Sequence, residues 1–168
     1  MARTFHGCVL VLALAVGTTA SGCSGMAVDA REALSVADVT TGWLPAQSEA
    51  GNKIVPVLSF RLDNTGAVPL GVLQVNAIFR RSGEELDWGS VLVRAAGREG
   101  LAPDASIGPF TLRSARGYTG SQSSDALLAH REFVDVSVEL FARHRADRWV
   151  SLGRFDIDRR LLASVPVG

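Results

Sequence analysis

The sequence predicts an all-β fold, an antiparallel β-sandwich of about seven strands with one short helical turn. Three observations lead there. Short segments alternate apolar and polar residues with a period of two, Gly, Asn, Pro and Ser cluster between them, and no stretch sustains a helical period. Strands at turn spacing in one compact length are the pattern of a two-sheet sandwich.

Residues 1–22 read as an address. Arg3 and the amino terminus supply a small positive region, and Val9 to Val16 is an uncharged apolar run. That run is too short to span a bilayer as a permanent helix, so the layout is that of a secretory signal. Small residues then lead to Ala20-Ser21-Gly22-Cys23. This stretch resembles the bacterial lipobox, with Ala20 in place of the commoner Leu. The resemblance implies that Cys23 becomes the first mature residue and carries the lipid. It also implies attachment at the outer membrane, on its periplasmic face, because Ser24 is not the Asp associated with inner-membrane retention. Residues 23–33 then form a lipidated tether, 34–158 the sandwich and 159–168 a C-terminal tail.

Cleavage before Cys23 removes 22 of the 168 residues and leaves 146, enough for one domain with a sizeable core. Loss of Arg3 leaves 16 of the 17 basic side chains against 17 acidic ones. A balanced domain gives no electrostatic reason to expect DNA, RNA or an anionic membrane face as its ligand. The basic residues are nearly all Arg, with Lys53 the only Lys, and they are scattered as a codon bias would scatter them. Cys8 leaves with the signal and Cys23 takes the lipid, so no pair remains for a disulfide. With only His130 and His144 beside one Cys in the mature chain, no zinc site is expected.

The strands follow in order. Leu34, Val36 and Val39 open the first, which ends near Trp43-Leu44-Pro45; Gly51-Asn52 then marks a turn. From Val55 to Leu62, the residues Leu58, Phe60 and Leu62 share one face, with Ser59, Arg61 and Asp63 on a wet face. Asn64-Thr65-Gly66 interrupts, Asn64 satisfying turn backbone with its side chain. Leu70 to Phe79 places Leu73, Val75, Ala77 and Phe79 inward, and Trp88 to Val93 gives the next strand, with a bulge at Gly89. Residues 95–106 read as a loop, and Ile107 to Arg113 as a strand. Ser114 to Ser124 shows no apolar period and is assigned as a second loop. Asp125 to His130 is the helical turn, capped by Ser123 or Ser124, with Leu127 and Leu128 inward. Phe133 to Phe141 is the clearest alternation, and Trp149 to Ile157 closes the set.

Leu58 to Gly66, Val72 to Phe79 with Gly83 after it, and Leu101-Ala102-Pro103-Asp104 before Phe110 together resemble small immunoglobulin-like modules of bacterial envelopes, including the FxLYD type. That resemblance implies an immunoglobulin-like sandwich over about half the mature chain. The chain departs from the antibody pattern in having no Cys pair and no Trp within Leu70 to Phe79, so strand order stays open.

Motifs for chemistry are sparse. No Gly-x-Ser-x-Gly elbow, phosphate loop, His-Glu-x-x-His helix or Cys-x-x-Cys occurs. His130 and Asp125 lie near several serines in sequence, but a hydrolase needs them in one hydrogen-bonded arrangement. Asp156 and Asp158 share a strand face without the acidic loop that calcium needs, and read as a solvated charge cluster. Trp43, Trp88 and Trp149 read as core or core rim. Tyr118, in Gly117-Tyr118-Thr119-Gly120, has no evident core position. With Arg116 it is the candidate contact site, on a loop carried by a rigid scaffold.

The resulting expectation is a non-enzymatic lipoprotein without cofactor or metal. It is held in the membrane through lipid on Cys23, binds another envelope protein or an envelope assembly, and does not bind nucleic acid. The alternatives are a lipoprotein subunit of a secretion or transport machine, and a cell-envelope hydrolase.

Overall fold

The structure, a computed structural model, describes residues 29–46 and 48–163. Cys23 and the signal lie outside the described residues. Eight strands and two short helices follow in the order α1 (Ala30–Ala33), β1 (Leu34–Ala46), β2 (Asn52–Asn64), β3 (Leu73–Arg81), β4 (Gly89–Ala96), β5 (Ser106–Arg113), β6 (Tyr118–Gly120), α2 (Ser124–Leu128), β7 (Val136–His144) and β8 (Val150–Asp156). One sheet runs β1-β2-β5, with β6 also on β2; the other runs β4-β3-β7-β8, and all their pairings are antiparallel. Pairing of β2 with β5, and of β3 with β7, is the strand order of the immunoglobulin-like sandwich.

The core lies where the two inner faces meet. Leu58, Phe60 and Leu62 of β2 face Leu73, Val75, Ala77 and Phe79 of β3 and Val136, Val138 and Leu140 of β7, all buried. Strict alternation in these strands put each of them inward, because a period of two sends neighbouring side chains to opposite faces. Ser59 departs from that reading. It is only 6% exposed, although its face of β2 was expected to be wet. β2 is the central strand of its sheet, and the register sets Ser59 between Thr40 on β1 and Thr111 on β5, which cover it.

Both helices are short, and each is capped by side-chain chemistry. Asp29 Oδ1 accepts from the Arg31 N–H at 2.9 Å, and Ser123 Oγ accepts from the Ala126 N–H at 3.3 Å. Ala30 and Ala33, assigned to the tether, are buried in the core, and Leu127 and Leu128 of α2 are buried as expected. The C-terminal segment also joins the fold. The Trp43 backbone N–H donates to the Arg160 carbonyl at 2.9 Å, and the Leu162 backbone N–H returns the bond to the Trp43 carbonyl at 2.9 Å. Residues 160–162, assigned to a tail, therefore extend the sheet alongside β1.

Asn64 organises the loops at the α1 end. Buried to 1% exposure, it donates through Nδ2 to the carbonyls of Val68 and Leu101, and its Oδ1 accepts from the Gly66 N–H. Its side chain thus completes the turn and also ties the β2–β3 connection to the β4–β5 connection. Gly100 permits that approach. Its φ is +70°, and a β-carbon there would stand 2.8 Å from the Leu70 carbonyl oxygen.

Candidate functional site around Tyr118

The stretch Ser114 to Ser124, assigned as a loop, contains β6. Tyr118 stands opposite Ile54 in the register, Thr119 opposite Lys53 and Gly120 opposite Asn52. Three residues are too few to show alternation, so the period of two was not visible in the sequence. Gly117 serves close approach and not adaptability, because a β-carbon there would collide with the Ile54 carbonyl oxygen. That contact lets β6 lie against β2 and fixes where the Tyr118 ring points.

The ring enters an aromatic cluster drawn from separate parts of the chain. Its centroid is 5.6 Å from Trp43, 5.2 Å from Trp88 and 4.8 Å from Phe133, all tilted. Trp43 and Phe133 meet edge to face at 5.0 Å. Such geometries add about 0.5–1.5 kcal/mol per pair beyond area burial. The three tryptophans take different positions: Trp43 is 0% exposed, Trp88 is half-buried, and Trp149 is 37% exposed.

Polar groups hold the cluster's edge. The Tyr118 hydroxyl donates to the Val134 carbonyl at 2.9 Å. The Arg81 guanidinium lies 5.7 Å from the Trp88 ring centroid, and that of Arg159 lies 4.8 Å from Phe133. Arg159 is also gripped by Asp135, with Nε 2.6 Å and Nη2 3.1 Å from its two carboxylate oxygens. Burial pushes the Tyr118 phenol above its ordinary value, with the Arg81 charge opposing the shift. Tyr118 is therefore a neutral, anchored ring and not a mobile one.

Its remaining edge opens on a cleft of about 290 Å³ lined by Tyr118, Thr119, Gln122, Leu127, His130, Glu132 and Phe133. Phe133 and Leu127 give it an apolar floor, and the rim carries a hydroxyl, an amide, an imidazole and a carboxylate. His130 accepts from the Glu132 N–H through Nδ1 at 3.3 Å. The backbone, and not Asp125, therefore orients its ring. Arg116 stays outside the cleft; it is exposed, and its N–H donates to Ser114 Oγ. Of Tyr118 and Arg116, paired as the candidate contact residues, only Tyr118 thus lines the cleft. Thr119, Gln122 and Glu132 join Tyr118 instead, and Phe133, assigned to a strand, forms the floor. The only sequence signal for this grouping was an aromatic residue set between two glycines.

Asp158 pairs with Arg160 at 3.3 Å, and its N–H donates to Thr41 Oγ1. Among the described residues, no group of three or more His, Cys, Asp or Glu side chains is placed to hold a metal ion.

No protein-family model matches the chain, and a search of curated proteins finds no match. A solved structure described as the X-ray structure of Northeast Structural Genomics Consortium target SoR45 is similar at 13% identity, with a TM-score of 0.39 over 76% of this chain and 87% of the other.

Proposed function

We propose that the chain is a lipid-anchored, non-enzymatic module of the bacterial cell envelope that binds a protein partner through the Tyr118 cleft. Lipid on Cys23 holds it at the periplasmic face of the outer membrane, and the sandwich presents the cleft to the partner. The observation that carries this reading is the cleft itself, an anchored tyrosine edge over an apolar floor with a mixed polar rim. Tyrosine is enriched among residues that dominate protein contacts, and a ring already fixed loses little freedom on binding. The volume lies at the lower limit for small-molecule sites, which suits one side chain of a partner better than a whole cofactor.

The test places a photo-crosslinking amino acid at Gln122, on the exposed rim, in intact cells. The expected result is one dominant envelope protein in the adduct, lost when Glu132→Arg reverses the rim charge without moving the melting temperature. An absence of any specific adduct, or an adduct unaffected by Glu132→Arg, contradicts the reading.

A further inference from the structure

A net charge of zero over the whole chain conceals an uneven distribution. Five arginines meet at one corner of the sheet β4-β3-β7-β8. Arg94 on β4 and Arg143 on β7 both stand opposite Gln74 on β3, so the three share a row on the outer face. The Arg143 guanidinium bonds the Gln74 amide oxygen through Nε at 3.1 Å and lies 4.8 Å from the centre of the Trp149 ring. Arg98, Arg145 and Arg148 come from the connections just beyond. The Val72 N–H donates to the Gly97 carbonyl at 2.7 Å, and the Arg145 N–H donates to the Val72 carbonyl at 2.8 Å. These two bonds close the β4–β5 connection and the β7–β8 hairpin on one turn.

Arg94, Arg98, Arg145 and Arg148 are exposed. Among the described residues, none of the five arginines forms an ion pair. Two carboxylates share the corner. Glu99 is occupied in accepting from the Gly97 N–H at 2.9 Å, and Asp147 leans toward His144 at 3.6 Å. Five cations against two carboxylates, of which Glu99 also meets the Arg94 charge, leave a positive excess on this outer-face corner beside a tryptophan that is 37% exposed. Arg31 with Asp29, Glu32 and Asp104 at the same end reduces that excess without cancelling it.

The chain enters the domain at this same end. Leu34 pairs with Asn64, the Thr65 N–H donates to the Ala33 carbonyl, and α1 packs against β7 and β8. Helix α1 adds Arg31 there, with Asp29 and Glu32 as its acids, and Asp104 lies on the β4–β5 connection. Asp29 is six residues on from Cys23, a length that spans at most about 20 Å when fully extended.

We propose that this arginine corner docks on an anionic lipid surface, its guanidinium groups on headgroup phosphates and Trp149 in the interface. The proposal rests on the reading of Cys23 as the lipid anchor. A lipid at Cys23 keeps this end of the sandwich, and not the opposite one, within reach of the headgroups. Planar guanidinium groups match phosphate oxygens, and tryptophan favours the boundary between apolar and wet layers. Each arginine near an anionic surface adds about fivefold to binding, an attraction that salt screens.

The test uses the mature chain purified from membranes and vesicles of phosphatidylcholine, with or without phosphatidylglycerol. Flotation with the neutral vesicles reports the anchor. Quenching of tryptophan fluorescence by brominated phosphatidylcholine reports docking, and a Trp149→Phe chain identifies the responding ring. The expected result is quenching that needs phosphatidylglycerol, falls with salt and vanishes in Trp149→Phe. Replacing Arg94, Arg145 and Arg148 together by Gln should weaken the docking equilibrium about 100-fold with the melting curve unchanged. A chain that floats but shows no phosphatidylglycerol-dependent quenching overturns the docking and leaves the anchor standing, as does capture of an acidic protein by this corner without such quenching. A chain that fails to float with neutral vesicles overturns the anchor, and phosphatidylglycerol-dependent quenching of that same chain still decides the docking.

Discussion

The Tyr118 hydroxyl donates to the carbonyl of Val134 at 2.9 Å, and that bond closes β6 against the lead-in to β7. A segment that looks like a connection in the sequence and the first residues of one that looks like a strand thereby become the wall of the cleft. Tyr118→Phe removes the bond and keeps the ring, so stability should fall by about 1 kcal/mol at neutral pH. A second effect concerns alkaline pH. Burial raises the folded pKa of Tyr118, so its share of stability is complete below about pH 10, the unfolded value, and is lost as pH rises through the folded value. Chemical melts from neutral pH to about pH 11 should therefore show a smaller alkaline loss in Tyr118→Phe than in the parent chain.

Asn64 supplies three hydrogen bonds to backbone groups in a buried site. Asn64→Ala leaves two carbonyls and one N–H without that partner and should cost about 2–4 kcal/mol. Urea unfolding measures it, and a cost under about 1 kcal/mol would mean that water replaces the amide.

His144 presents the opposite case. It is 5% exposed, and neither ring nitrogen has a hydrogen-bond partner among the described residues. Burying an unpaired polar group costs about 1–3 kcal/mol, so His144→Leu should raise stability by about 1 kcal/mol. A lower melting temperature would show that the contact with Asp147, at 3.6 Å, holds the β7–β8 hairpin.

Most of the sandwich was legible because its strands have one wet face. Val136, Val138 and Leu140 alternate with Ser137 and Glu139; the first three are buried in the core, while Ser137, on the outer face, is also covered, by the Arg154 guanidinium that bonds its Oγ. The alternation begins at Phe133, three residues before β7 does. That residue and Val134 have strand-like side chains, but they serve the Tyr118 cluster through a ring contact and a carbonyl. The cleft was largely hidden, since β6 is too short to show a period and its glycines serve close packing. Charge counting hid the arginine corner for a different reason: a sum over the chain carries no positions, and the register of Arg94 and Arg143 about Gln74 collects what the sequence scatters.

Phe79 tests the register itself. It is fully buried and lies opposite Val138. Phe79→Ala should cost about 3–5 kcal/mol. A shift of one residue along β3 would turn this ring to the outer face, and a near-neutral substitution would reveal it by calorimetry.

Attachment at Cys23 bears on both proposed contacts, because each assumes a domain held at a membrane. One acyl chain binds only marginally, at about 0.8 kcal/mol per buried methylene, so lasting attachment needs several. The decisive measurement is the intact mass of the chain from the membrane fraction. The predicted result is a chain that begins at Cys23 and carries lipid, with Cys23→Ser left unprocessed or released. An unmodified amino terminus at any other residue would contradict it.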